Sequence, residues 1–341
     1  MCPRTPEHAE STTGDTPVSP CLHRRTLVVA ALCAAAGTLH AQANWPAKPV
    51  KIVVPYAAGG PADITAREIA QKLATTTGQA FVVENQGGAM GIPSLMAVSR
   101  SEPDGHTLWM PALGNAVLQP LLSKQGGADH LARLQPVGMV TTSAHVLVVS
   151  AKLPVRNVQE LVDYARANPG QLSFASAGVG GTAHLGAELF KSLSKTEVIH
   201  VPYKGTAPAI SDLASGRVGA MFSSLPSLQA AIDKGLVRLV AATSASTSPA
   251  TRSLPLMSAV LPGFDYTSWY AMYVPLKTPP AVVERISALL QQTLKDPELA
   301  RRIEAHGMEP LPTGPQEVGV WVRRDQQKWG EVIRSANISL D

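Results

Sequence analysis

Short, continuous apolar runs recur along this chain, each closed by glycine or proline and followed by a segment with helical periodicity. The first, Val50 to Tyr56, is rich in β-branched residues and stops at Gly59-Gly60-Pro61. A run that is apolar at successive positions belongs to a strand buried on both faces, as in a sheet covered by helices. Pro61 suits a first helical position, and Ile64, Ile69 and Leu73 give Ala62–Ala74 a core face. Ala80–Glu84 is the next expected strand. Gly87, Gly88 and Gly91 open a further loop and helix, and Thr107–Ala112 is a third strand. Val137–Val149 reads as one long extended stretch. Asn157 and Glu160 resemble a capping box for a helix that Asn168-Pro169-Gly170 ends. Leu172–Ser176 is a strand, and the turn Ala177–Gly181 leads to Thr182 as a helix cap. Leu185, Leu189 and Leu193 then mark one buried helix face. Val198–Tyr203 and Val218–Phe222 flank a helix over Thr206–Ser215, and Leu236–Ala242 and Tyr266–Val274 are later extended stretches. Three helices follow, over Ala281–Lys295, Pro297 to Gly307, and Pro315–Ala336.

This alternation is an α/β pattern with parallel-sheet units. A length of 341 residues suggests two domains. The two long extended stretches are candidate crossings between them. Lobe 1 is then expected over 44–142 plus 266–341 and lobe 2 over 143–265, with a return crossing as early as Thr243. A cleft between two such lobes suits closure on a ligand.

Residues 1–43 have the features of a cleaved export signal: Arg24 and Arg25, the apolar run Leu27–Leu39, then Ala41-Gln42-Ala43. The run is too short to span a bilayer, and no later stretch is long and apolar enough to do so. Cys2, Cys21 and Cys33 all lie in this leader, so the remaining chain has no cysteine and relies on its core. Apolar residues make up 45% and charged residues 16%, which excludes a disordered chain. The net charge of +4 comes without a dense Lys/Arg run, so no nucleic-acid partner is expected.

Two Gly-rich loops join a strand to a helix, where backbone N–H groups meet ligands at the carboxyl edge of a sheet. In the first, Tyr56 to Asp63, the candidate binding residues are Tyr56, Ala58, Gly59, Gly60 and Asp63. Asp63 also suits an exposed third helical position paired with Arg67. In the second, Ser176 to His184, they are Ser176, Ala177, Gly178, Gly180, Thr182 and His184. Asn115, Tyr203, Lys204 and Ser223 follow other strands and are candidates for the same cleft, although a turn residue at 115 and a solvated Lys204 are equally ordinary. The glycine spacing fits neither a phosphate-binding loop nor a dinucleotide fingerprint. Phe174 stands where a nucleophile elbow needs glycine, and the histidines outside the leader form no His-x-x-x-His pair. No catalytic residue, metal or cofactor is therefore expected.

Together, several segments resemble the tripartite tricarboxylate transporter receptors, the Bug solute-binding proteins. They include Lys48-Pro-Val-Lys-Ile-Val-Val-Pro-Tyr56, Gly59-Gly-Pro-Ala-Asp63, Val82-Val-Glu-Asn85, Pro103-Asp-Gly-His-Thr-Leu108, Ala175-Ser-Ala-Gly178 and His200-Val-Pro-Tyr-Lys-Gly205. The resemblance implies a two-lobed, type II periplasmic-binding-protein fold of the Venus-flytrap kind. It implies a monomeric receptor that closes on a small carboxylate through Tyr56–Asp63 and Ser176–Thr182. Its partners would be membrane transporter subunits, with a sensor kinase as an alternative and an envelope enzyme on the same fold as a third reading. Three departures stand out. Ser223 and Ser224 replace an acid and an amide, Gln86-Gly87-Gly88 replaces Arg-Pro-Gly, and Gly114–Pro120 matches poorly. Without an acid at 223 an amino group has no partner there, so a non-amino carboxylate is expected.

Overall fold

A computed structural model describes residues 45–122, 128–245 and 251–338, without the side chains of 128 and 129. The leader expected over 1–43 lies outside these residues. One of the two units into which the chain divides spans Pro46–Asp341, and the elements below belong to it.

Its strands are β1 (Val50–Val54), β2 (Phe81–Asn85), β3 (Thr107–Trp109), β4 (Leu134–Ala144), β5 (Val146–Ser150), β6 (Ser173–Ser176), β7 (Ile199–Pro202), β8 (Ala220–Ser223), β9 (Val237–Ala242), β10 (Thr267–Pro275) and β11 (Glu309–Pro310). The main helices are α1 (Pro61–Thr77), α2 (Ile92–Ser99), α3 (Val158–Ala167), α4 (Thr182–Ser194), α5 (Thr206–Ser215), α6 (Leu225–Asp233), α7 (Pro280–Leu294), α8 (Pro297–Ala305) and α9 (Pro315–Ser335). The strands form two sheets, one ordered β11-β4-β10-β3-β1-β2 and the other β7-β6-β8-β5-β9. Around β1 and around β6 the neighbours are parallel, whereas β10 and β5 run antiparallel to theirs.

The stretch expected to be continuous over 137–149 is in fact two strands. It breaks at His145, where the chain leaves the first sheet for the second. Strand-favouring residues on both sides of position 145, β-branched Val140 to Thr142 before it and Val146 to Val149 after it, hide this change of sheet. Thr243, just past β9, holds the break: His145 N–H donates to Thr243 Oγ1 at 3.0 Å, and that hydroxyl donates to the Tyr266 carbonyl at 2.6 Å. Two further differences concern helix starts. Gly181 is the N-cap of α4 and Thr182 is its first residue, because the glycine adopts the extended conformation a cap needs. Helix α6 has no counterpart in the pattern of expected helices. Proline near its start and buried Leu228 and Ala231 three residues apart explain why it forms.

A run of aromatic rings carries the core from the second sheet to the C-terminal helix. Phe190, Phe174, Phe222 and Phe264 pack at centroid distances of 5.1, 5.5 and 5.6 Å, and Trp329 of α9 meets Tyr266 edge-on at 5.8 Å. Each such pair adds about 0.5–1.5 kcal/mol beyond the area it buries.

Candidate functional site

The residues after β1 and those opening α4 line one cleft of about 490 Å³. A recess of about 440 Å³ shares Pro61, Met90, His145, Gly181, Thr182 and Ser224 with it, and adds Ala177, Gly178 and Ser223. Among the described residues, no Asp, Glu, Lys or Arg lines either space. The polar lining of the cleft is made of hydroxyl, amide, backbone and imidazole groups.

Asn115 organises the first-sheet wall. It sits 5% exposed in a π-helical turn over Gly114–Leu118. Its Oδ1 accepts from Tyr56 Oη at 2.6 Å and from Ala112 N–H at 3.1 Å, while its Nδ2 donates to the Met90 carbonyl at 2.8 Å. The close approach depends on Gly91, at φ +88°: a Cβ there would lie 2.8 Å from Asn115 Nδ2. Burial pushes the Tyr56 phenol well up, with a further contribution from Tyr270. Burial also pushes Tyr270 up to about 12. Both phenols are thus neutral hydrogen-bonding groups at neutral pH.

The first Gly-rich loop is largely turned to its own structure. Gly59 N–H donates to Asp63 Oδ2 at 2.9 Å, and Arg67 Nε lies 2.9 Å from Asp63 Oδ1. Asp63 is 3% exposed rather than at the surface, because this pairing lets it pack inward. Burial opposes its ionisation, but the hydrogen bonds from Arg67 and Gly59 outweigh it and hold the carboxyl below its usual range. Ala58, Gly59, Gly60 and Asp63 do not line the cleft, whereas Tyr56 and Pro61 do.

The second loop is braced from behind. Ser176 is 1% exposed, and its Oγ lies 2.6 Å from His200 Nε2 and donates to the Gly178 carbonyl at 2.9 Å. His184 Nδ1 accepts from Gly180 N–H at 3.0 Å, and its ring stacks on His200 at 3.7 Å. Ser176 and His184 therefore shape the loop from outside the lining, while Gly180, Gly181 and Thr182 face the cleft. No side chain caps α4, so its first-turn N–H groups stay available. Tyr203 and Lys204 lie off the cleft: Tyr203 Oη donates to Asp212 at 2.8 Å, and Lys204 is exposed.

Ser143, His145, Ser268 and Tyr270, which are not among the sequence-based candidates, line the cleft from the end of β4, the crossing at 145 and the start of β10. The signal is present, since both stretches are candidate crossings and the period of two along β10 places Ser268 and Tyr270 on one face. Met90, His306 and Met308 also line the cleft, from loops with no distinguishing pattern.

His145 stacks on Tyr266 at 4.7 Å, and its Nδ1 is buried without a partner. Burial holds His145 down to about 4, and burial, with a smaller effect of His184, holds His200 there as well. An unfolded chain protonates its histidines near ~6.5, so between these values it binds more protons than the native state. Stability is therefore expected to be level above about pH 7 and to fall between about pH 6.5 and about pH 4. Thermal melts of the ligand-free protein across this window, with His145→Gln and His200→Gln showing flatter profiles, check the expectation.

Residues 64–338 match the family described as "Tripartite tricarboxylate transporter family receptor". The chain is 30% identical to "Protein BugT" of Bordetella pertussis over 87% of its own length and 92% of that protein. It resembles a structure described as "R. palustris Rpa4515 with adipate" at TM-score 0.76 and 32% identity, covering 86% of this chain and 99% of that one. It also resembles "MatC (Rpa3494) from Rhodopseudomonas palustris with bound malate" at TM-score 0.69 and 27% identity, covering 85% of this chain and 100% of that one.

Proposed function

The chain belongs to the tripartite tricarboxylate transporter receptor family, and on that premise we propose that it is an extracytoplasmic solute receptor. It binds a small carboxylate in the cleft between the two sheets and presents the closed complex to membrane transporter subunits. The observation that carries this reading is the cleft itself, which joins the uncapped N-terminus of α4 to an uncharged wall built on Tyr56 and Asn115. Neutral donors hold a carboxylate reversibly, because ligand release exposes no unpaired buried charge. Tyr56, Asn115, Gly180 and Thr182 then touch the ligand directly, with Ala177, Gly178 and Ser223 in the adjoining recess. Lobe 1 comprises 44–142 plus 266–341 and lobe 2 comprises 143–265, and export to the periplasm uses the leader.

The Ser176–His200 pair is the one arrangement that favours an enzyme, and its surroundings weigh against that role. The serine is buried, donates to Gly178, and faces a histidine that burial makes a poor base.

A thermal-shift panel of mono-, di- and tricarboxylates and amino acids, confirmed by calorimetry, tests the proposal. A cognate carboxylate at a hundredfold excess over its dissociation constant should stabilise the protein by about 2.7 kcal/mol and remain chemically unchanged. Turnover of the ligand would refute the receptor reading. An amino acid that binds more tightly than its deaminated analogue would refute the expectation of a non-amino ligand.

A further inference from the structure

The two Gly-rich loops are closed by the same device with different chemistry. In each, the glycine two residues before the helix donates its N–H to a side chain four residues on, at the third helical position. In the first loop the acceptor is the Asp63 carboxylate. Burial opposes its ionisation, yet the hydrogen bonds from Arg67 and Gly59 hold it below its usual range, so it still accepts in mild acid. In the second loop the acceptor is His184 Nδ1, 3.0 Å from Gly180 N. An imidazole nitrogen accepts only while it carries no proton. The proton of His184 is therefore on Nε2, 3.8 Å from Glu188 Oε1, and Lys191 Nζ lies 3.7 Å from the other oxygen of that carboxylate. The ring stacks on His200 at 3.7 Å, and His200 Nε2 lies 2.6 Å from Ser176 Oγ. That hydroxyl gives its own proton to the Gly178 carbonyl, so His200 is the donor there. Among the described residues, Glu188, Lys191 and His200 are the charged or titratable groups that act on His184. Burial, with a smaller effect of Lys191, holds His184 below its ordinary value and favours the accepting form.

We propose that His184 is a positioning residue for ligand binding: its unprotonated Nδ1 holds Gly180 in the cleft wall, and protonation of this ring loosens the second loop while leaving the first in place. The inference rests on the receptor reading, in which Gly180 touches the ligand. Gly180 lines the cleft at φ +74°, in the left-handed region, whereas His184 does not line it. His184 therefore acts on the ligand through the glycine. A proton on Nδ1 turns the acceptor into a donor that faces another donor, and the buried Gly180 N–H loses its partner. A proton bound by the free protein and excluded from the complex weakens binding by up to about tenfold per pH unit below the titration of that group. A bare attraction between an imidazolium and a carboxylate has the opposite sign and would tighten binding in acid.

Two variants of the full chain test the proposal. In His184→Asn the amide oxygen takes the place of Nδ1 and does not titrate, whereas His184→Leu has no acceptor. Calorimetry from about pH 8 to about pH 4.5 uses hexanoate, adipate, benzoate and citrate as probes. Protons carried by the probes, and by His145 and His306 in the cleft lining, are common to all three proteins, so the ratio of affinities isolates His184. At about pH 8 His184→Asn should bind within about threefold of the unaltered protein, and His184→Leu at least about tenfold more weakly. In acid the unaltered protein should lose affinity relative to His184→Asn, by about twofold at the midpoint that NMR reads for the His184 ring and by up to about tenfold per pH unit below it. In the ligand-free protein the Gly180 amide resonance should follow that same midpoint, while the Gly59 amide does not respond. Equal pH dependence in the unaltered protein and His184→Asn, relative tightening in acid, full affinity in His184→Leu, or a Gly180 amide that ignores the His184 titration overturns the proposal and leaves the receptor reading intact. If no probe binds and native mass spectrometry finds no retained carboxylate, the receptor reading fails, and the binding role of His184 fails with it.

Discussion

Replacing Asn115 with leucine is expected to cost about 3–5 kcal/mol of stability and to abolish stabilisation by any carboxylate ligand. The side chain serves three partners at once, accepting from Tyr56 Oη and Ala112 N–H and donating to the Met90 carbonyl. Leucine has the same branching with bulkier ends, so it leaves no cavity, and the loss comes from polarity and from crowding against the Gly91 turn. Ala112 is buried, so its N–H is left without a partner, and such an orphan costs about 1–3 kcal/mol. The Met90 carbonyl loses its donor, and the loop that Gly91 brings against Asn115 loses its tether. Tyr56→Phe is the informative contrast: it removes one hydrogen bond from a group beside the cleft and should cost only about 1 kcal/mol. Urea unfolding of both variants, followed by ligand titration, separates the two contributions. Comparable stability losses in the two variants would show that Asn115 does not organise this wall.

Asn115 also shows where the sequence stops being informative. Strand and helix types were legible from apolar runs and glycine–proline stops, because backbone sterics and burial act locally. The placement of Asn115 was not, because it depends on a π-helical turn and on Gly91, which lies 24 positions earlier and comes alongside only in the folded chain. Tyr56 and Thr182 are legible because each lies in a glycine-rich loop that joins a strand to a helix. Asp63 and His184 drew notice for the same reason, yet the structure uses them to brace their own loops. Strand–loop–helix grammar identifies the edge of a site but does not say which polar groups are already satisfied by the chain. His145 illustrates the converse: an interruption between two apolar strands looked like continuity, yet it marks the change of sheet and a wall of the cleft.

Asp325→Ala is expected to have the other large effect, about 3–5 kcal/mol, although Asp325 lies on α9 outside the cleft lining. Asp325 is 1% exposed, and its Oδ2 accepts from Trp269 Nε1 at 2.7 Å; Trp269 is 0% exposed. Arg324 Nε lies 2.9 Å from Oδ1 and completes the pairing. Alanine strands the indole N–H in the core and leaves a void against it, and both terms oppose folding. Asp325→Asn retains an acceptor for the indole and gives up only the charge, so its cost should be about 1–2 kcal/mol. The effect reaches the ligand through β10. Trp269 and Tyr270 are successive residues and point to opposite faces of the strand, one into the core and the other into the cleft. A shift of the indole therefore displaces the Tyr270 phenol. Asp325→Ala should weaken carboxylate binding as well as folding, whereas Asp325→Asn should leave binding close to that of the unaltered protein. A double-mutant cycle with Trp269→Phe should return a coupling of about 1–3 kcal/mol in stability. A coupling near zero would mean that α9 supports β10 through apolar packing alone, and that the indole hydrogen bond does not position Tyr270.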